Sequence, residues 1–243
     1  MKNKLYVAGM GPGETGLMCQ RAAEILADCD TIIGYTVYVN LLRETYPDKE
    51  FLTTPMTQEA RRCEMAFEEA AKGKKVVMVC SGDAGVYGMS GLMLEIGAAW
   101  PEIEVEVIPG VTAALSGGAV LGAPLTHDFA VISLSDRLTP WEKIEKRLEL
   151  AAEADFGICI YNPASKGRPD YLSRACEILL RVLPPDRLCG TVENIGREGE
   201  SARLYTLEEL RTAQVNMFTT VFIGNSQTKE INGRMVTPRG YRI

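Results

Sequence analysis

The chain is poor in positive charge: 26 lysines and arginines stand against 32 aspartates and glutamates, a formal net charge of -6 over 243 residues. Nucleic-acid binders draw most of their affinity from neutralising phosphates and show a basic surplus or stripe. Neither is present, so no nucleic-acid partner is expected. Histidine occurs once, at His127, and the seven cysteines (Cys19, Cys29, Cys63, Cys80, Cys159, Cys176, Cys189) form no CxxC pair. Zinc and iron–sulfur centres need closely grouped ligands. The expectation is therefore no metal site, and cysteines that are reduced core thiols. No apolar run reaches the roughly 20 residues of a membrane span. The first residues, MKNKLYVAG, read as two lysines and a short strand rather than a signal peptide. Together these absences predict a soluble cytoplasmic protein without a membrane partner.

What the chain does have is a 46% hydrophobic composition, enough for one large or two modest cores. Apolar runs predict strands over 4–8, 31–34, 50–53, 75–80 and 104–108, alternating with helical patterns over 15–28, 36–46, 57–72 and 86–99. A second series follows, with strands over 129–134, 156–161, 188–193, 202–206 and 218–223 and helices over 140–153 and 169–182. Such alternation predicts an α/β protein of two αβα domains, with mainly parallel sheets covered on both faces by helices. The boundary is expected near 115–126, giving an N-terminal domain over 1–120 and a C-terminal one over 121–243.

Two loops stand out. CSGDAGVYGMSG (Cys80 to Gly91) follows the apolar run VVMV, and GMGPG (Gly9 to Gly13) follows the first strand. Loops at the carboxyl ends of buried strands are where open α/β sheets bind small molecules. Small residues such as Gly82, Ala84 and Gly85 permit close approach of a ligand to the backbone, and Asp83 stands among them as a lone acceptor. GMGPGETG fails as a dinucleotide fingerprint: Glu14 occupies the third glycine position and would repel a pyrophosphate, and Pro12 has no amide hydrogen to offer one. A cofactor without phosphates fits better, and S-adenosylmethionine is a candidate.

GMGPG, SGDAGVYG and PGVTA in this order resemble the tetrapyrrole methylase family of S-adenosylmethionine-dependent enzymes. The carboxyl half extends the likeness along the whole chain through HDFAVISLSDRLTPW, IYNPASKGR, ENIGREGE, TTVFIGNSQT and MVTPRGY. It is nearest to the branch that methylates C-17 of a precorrin ring in cobalamin synthesis, because Gly82-Asp83-Ala84, with Gly-Val-Tyr behind it, stands where many relatives have Gly-Asp-Pro. The resemblance implies an active-site cleft between two αβα domains, a homodimer, and methylation at C-17 coupled to ring contraction. It implies cofactor positions at Gly11, Pro12, Gly82, Asp83, Ala84, Val86, Tyr87, Thr112, Ala113 and Asn162. Asn194, Gly196 and Gly224 are expected to face the adenine.

A precorrin carries many carboxylates, and arginine forks bind carboxylates in bidentate fashion. Arg137, Lys166, Arg168, Arg197 and Arg239 are therefore the expected substrate-binding residues. Methyl transfer from a sulfonium needs placement more than acid–base help, and positioning supplies up to ~7–11 kcal/mol. Ring contraction moves protons, for which Asp136, Glu198 and His127 are the candidate catalytic residues. A lone histidine is more often structural, so His127 is read first that way, with proton donation or cobalt ligation as its functional alternative. Tyr87 and Tyr161 are candidates for contact with a flat ring, whereas Met56, Met65, Met89 and Met93 read as core packing. Three alternatives stay open: a family member acting at another carbon, a nicotinamide-dependent oxidoreductase, and a tetrapyrrole carrier.

Overall fold

A computed structural model describes residues 3–242. The chain divides into two compact units at the Thr112–Ala113 bond. The first unit holds five strands, β1 (Asn3–Gly9), β2 (Thr31–Tyr35), β3 (Glu50–Thr54), β4 (Val76–Cys80) and β5 (Ile103–Ile108). They form one sheet in the order β3-β2-β4-β1-β5, parallel throughout. Four helices connect them: α1 (Gln20–Asp28), α2 (Thr36–Asn40), α3 (Glu59–Ala71) and α4 (Ser90–Gly97). Alternate side chains of a strand point to opposite faces, and β4 shows it. Val76, Met78 and Cys80 enter a core with Phe67 of α3 and Met93 of α4. Val77 and Val79 enter the other core, with Leu26 of α1 and Val39 of α2.

Three expected helices are shorter than the pattern suggested. Over 15–28 a single 3-10 turn, Thr15–Leu17, precedes α1, and Cys19 is extended. α2 ends at Asn40. α4 starts at Ser90 because the loop before it is tied to Asp83, as described below. Met93 is in the core and Met89 packs against it, but Met56 is 42% exposed, so its reading as core packing does not hold.

The second unit begins with the small-residue helix α5 (Ala113–Leu121) and a two-residue strand, β6 (Gly122–Ala123). Its main sheet comprises β7 (Phe129–Ser133), β8 (Gly157–Tyr161), β9 (Leu188–Glu193), β10 (Ser201–Thr206) and β11 (Thr219–Ile223), in the order β10-β9-β11-β8-β7. Here the parallel expectation needs correcting. Only β7 and β8 pair in parallel; β8–β11, β11–β9 and β9–β10 are antiparallel. One face is covered by α6 (Trp141–Glu153), α7 (Tyr171–Leu179) and the short α8 (Leu207–Leu210), the last closed by a capping box between Thr206 and Glu209. The other face packs Cys159, Val192 and Phe222 against α5 and Met235. Met235 belongs to a hairpin, β12 (Lys229–Ile231) and β13 (Arg234–Val236), that pairs with β6 as a separate three-stranded sheet. That sheet was not expected from the sequence.

All seven cysteines are free, and all but Cys19 are buried. Burial pushes the thiols of Cys29 and Cys80 up to about 11 and those of Cys63 and Cys176 up to about 12. They behave as apolar core residues.

Candidate functional site

In the first unit every strand runs the same way, so the loops after β1, β4 and β5 gather at one end of the sheet. α1 and α4 lie on opposite faces, so the chain leaves the neighbouring strands β1 and β4 in opposite directions. A crevice at such a switch point is the usual ligand position in an open parallel sheet. The loops there are laced by backbone. Gly11 donates to Gly82 O (3.1 Å), Gly82 donates back to Gly11 O (2.7 Å), and Met10 donates to Cys80 O (2.9 Å).

Asp83 binds the third loop. Its Oδ1 accepts from the amides of Gly85 (2.7 Å) and Val86 (3.0 Å), and its Oδ2 from that of Gly110 (2.8 Å). The residue expected as a lone acceptor for ligand thus has both oxygens engaged by its own chain. Glycine is required for this closeness: a Cβ on Gly110 would lie 2.2 Å from Gly82 O. Ala84 is fully buried in the core, and Gly11, Pro12 and Gly82 are buried too, whereas Val86 is half-buried and Tyr87 is 57% exposed with a φ of 53°. Of the expected cofactor residues here, Val86, Tyr87 and Thr112 are the ones that leave side-chain surface open, while Gly11, Gly82 and Asp83 shape the loops.

In the second unit strand direction sorts the candidates into two groups. β7, β8 and β9 end together, with Ser133 paired to Tyr161 and Glu193 paired to Thr219 at the start of β11. This end collects Asp136, Arg137, Asn162, Lys166, Arg168, Asn194, Gly196, Arg197 and Glu198. Asn162, at φ 54°, donates from Nδ2 to Ser133 Oγ (2.9 Å). The Tyr161 hydroxyl accepts from the amide of Ala114 (2.7 Å), which brings Ala113 and the start of α5 to the same end. The turn after β9 is shaped as its glycines suggested: Asn194, Gly196 and Gly199 all have positive φ, and Gly196 donates to Glu200 Oε2 (2.7 Å). The Arg197 guanidinium lies 5.7 Å from the Phe218 ring centroid. Arg137, Lys166 and Glu198 are exposed.

Gly224, His127 and Arg239 do not join them. β11 is antiparallel to β8, so its end at Ile223 pairs with Ile158, near the beginning of β8. Gly224 donates to Leu188 O (2.9 Å) and sits in a turn where a Cβ would meet Thr228 Cβ at 2.5 Å. His127 precedes β7, with Nε2 donating to Pro238 O (2.9 Å), and Arg239 donates from Nη1 to Thr126 O (3.1 Å). His127 and Arg239 share a cavity of about 320 Å³ with Asp128, Asp155, Asn225 and Gln227. Five-residue strands at about 3.3 Å per residue put some 16 Å between the two ends. Gly224, His127 and Arg239 therefore lie at the opposite end of this sheet from Asn162 and Asn194.

Asp136 is held by two side chains. Its Oδ2 accepts from the Tyr171 hydroxyl (2.5 Å), and its Oδ1 lies 2.5 Å from Arg168 Nε. The Tyr171 bond and, after it, the Arg168 charge hold the carboxyl below the usual range. An ionised, doubly engaged carboxylate orients its partners and is not poised to give up a proton at neutral pH. Tyr171 packs on Trp141 (centroids 4.8 Å apart), and Arg174 lies 4.0 Å over Trp141 and 5.1 Å over Tyr171. Sequence reading missed Tyr171 and Ser133. Tyr171 falls on the core face of α7 and reads as packing, and its partner lies 35 positions away.

These loops and this fold define the class. Residues 4–211 match the family model described as tetrapyrrole (corrin/porphyrin) methylases. The chain belongs to that family of methyltransferases. It is 44% identical over 247 residues to a protein of Priestia megaterium named cobalt-factor III methyltransferase, covering 100% of this chain and 46% of that one. The chain thus spans about half the length of that relative. It is 43% identical over 240 residues to a Salmonella typhimurium protein named probable cobalt-factor III C(17)-methyltransferase, covering 98% of this chain and 100% of that one. The crystal structure of the methyltransferase CobJ superposes with a TM-score of 0.88 at 38% identity, covering 97% of this chain and 100% of that chain.

Two outcomes are expected. Gly110→Ala should lower the thermal midpoint by several degrees, because the new Cβ must displace the Gly82 carbonyl, whereas Gly91→Ala should be neutral or stabilising, having nothing within 4 Å. Tyr171→Phe should raise the Asp136 pKa, read by NMR titration of its carboxyl carbon, because the largest interaction favouring the ionised form is gone. The ion pair with Arg168 would then be lost at a higher pH as the solution is acidified. An unmoved titration would show that the hydroxyl does not hold the carboxylate.

Proposed function

We propose that this chain transfers a methyl group from S-adenosylmethionine to C-17 of a cobalt-factor III-type tetrapyrrole in cobalamin synthesis. The observation that carries the reading is the full-length likeness to the Salmonella protein of that name. The cobalt form is preferred over metal-free precorrin-3B because the two relatives described above carry it in their names.

The loops of the first unit fit this cofactor. They hold carboxylates, Glu14 and Asp83, and no lysine or arginine over 9–14, 81–91 or 109–112. Such surroundings favour a sulfonium cation over a pyrophosphate. When bound, S-adenosylmethionine supplies a methyl group already activated by its positive sulfur. The protein's task is then orientation. Gly11, Gly82 and Asp83 keep the crevice in shape, and Val86, Tyr87, Thr112 and Ala113 offer it side-chain surface. Asn162, Asn194 and Gly196 are the further cofactor positions of this reading. Arg137, Lys166, Arg168 and Arg197, gathered at one end of the second sheet, take the substrate carboxylates. With Asp136 tied to Tyr171 and Arg168, the exposed Glu198 is the candidate that moves protons in ring contraction. The reading includes a homodimer in the cytoplasm, for which sedimentation of the purified chain is the check.

Purified protein should bind S-adenosylhomocysteine while NAD does not compete, and should add one methyl to cobalt-factor III. Arg197→Ala should raise KM for the tetrapyrrole about ten- to hundredfold, the usual cost of one bond to a charged group. Arg197→Lys should recover part of it, since the ammonium keeps charge without the planar fork. NAD binding without S-adenosylhomocysteine affinity would overturn the assignment. Unchanged tetrapyrrole kinetics in Arg197→Ala would remove that residue from the substrate site.

A further inference from the structure

Arg62, on α3, is 4% exposed, and among the described residues no carboxylate lies within salt-bridge distance of it. Arg61 on the same helix and Lys72 just beyond its end both pair with glutamates. Arg62 Nε donates to Thr54 Oγ1 (2.9 Å), and Nη2 donates to Pro55 O (3.0 Å) and, at 3.4 Å, to Thr54 O. Nη1 has only the thioether of Met89, 3.9 Å away. The guanidinium carbon lies 5.9 Å from the Tyr35 ring centroid. A full charge is therefore held out of water by neutral groups alone. An uncompensated buried charge is strongly unfavourable, and such groups are normally paired.

The surroundings say what is missing. Thr54 and Tyr35 close β3 and β2 at their carboxyl ends, the end that carries the loops of the candidate site. Met89 comes from the loop after β4, and the segment 55–58 crosses nearby with Met56 exposed and Thr57 at φ 73°, a conformation uncommon for a β-branched residue. Nη1, the donor without an oxygen partner, is covered by Met89, whose unbranched side chain changes rotamer readily.

We propose that Arg62 is an anion-binding subsite for a carboxylate of the substrate, entered by displacement of the Met89 side chain. Nη1, whose one contact is the Met89 thioether, would bond a carboxylate oxygen far more strongly than it bonds sulfur, because that bond is charge-assisted. The proposal rests on the function proposed above, because a polycarboxylate ring is what supplies such a group.

The test is Arg62→Met, which keeps the length of the stem and removes the charge. If Arg62 waits for a substrate carboxylate, KM for cobalt-factor III should rise at least about tenfold. The dissociation constant of S-adenosylhomocysteine should stay within twofold. The thermal midpoint without substrate should hold or rise, since the uncompensated charge is gone. Arg62→Lys should give an intermediate KM and carries the same test should the methionine variant fail to fold. A lowered midpoint with unchanged KM would make Arg62 a structural residue and overturn the proposal. Wild-type protein that binds S-adenosylhomocysteine but leaves the tetrapyrrole unmethylated would instead indict the function on which the proposal rests.

Discussion

Strand direction is the constraint on which the rest of this structure depends. A side chain acts with others only if the chain delivers it to the same end of a sheet, and a five-residue strand separates the ends by some 16 Å. In the first unit all pairings are parallel, so the loops after β1, β4 and β5 must meet. In the second unit the antiparallel insertion of β11 between β8 and β9 splits the candidates. It leaves Asn162 and Asn194 at one end and sends Gly224 to the other. No residue-by-residue chemistry makes this division. It follows from hydrogen-bond register.

Within that frame two aspartates spend their charge on the protein itself. Asp83 ties three backbone amides from two loops, and Asp136 ties Tyr171 and Arg168. Charge-assisted bonds of this kind are stronger than neutral ones and hold loops that lack regular structure of their own. The arginines differ: Arg168 pairs with Asp136, Arg137 is exposed, Arg197 lies near the Phe218 ring, and Arg62 is buried with no carboxylate beside it among the described residues.

Much of the fold was legible because buried strands are written as apolar runs. VVMV and GICIY lie at the positions of β4 and β8. Direction was not legible. An apolar run buried on both faces reads the same whether its neighbours are parallel or antiparallel, so β–α alternation alone predicts parallel pairing where β11 runs antiparallel to β8 and β9. The small sheet escaped for a different reason, since β6 has two residues and β12 and β13 three each. Its one signal was Asn232-Gly233, both at positive φ, the usual dipeptide of a tight hairpin. In the candidate site the ordered motifs revealed the family and located the loops. What they could not reveal was which acids face inward: Asp83 and Asp136 look like free acceptors until their partners, 27 and 35 positions distant, are brought beside them.

The central claim is that the second unit works from the end holding Asn162 and Arg168 and not from the end holding His127 and Arg239. Steady-state kinetics of methyl transfer to cobalt-factor III tests it most directly, comparing His127→Gln and Arg239→Gln with Arg168→Gln. The first two should leave kcat and KM within about twofold of wild type, and Arg168→Gln should raise KM at least about tenfold. A folded His127→Gln protein that binds S-adenosylhomocysteine normally yet loses kcat by orders of magnitude would contradict the account.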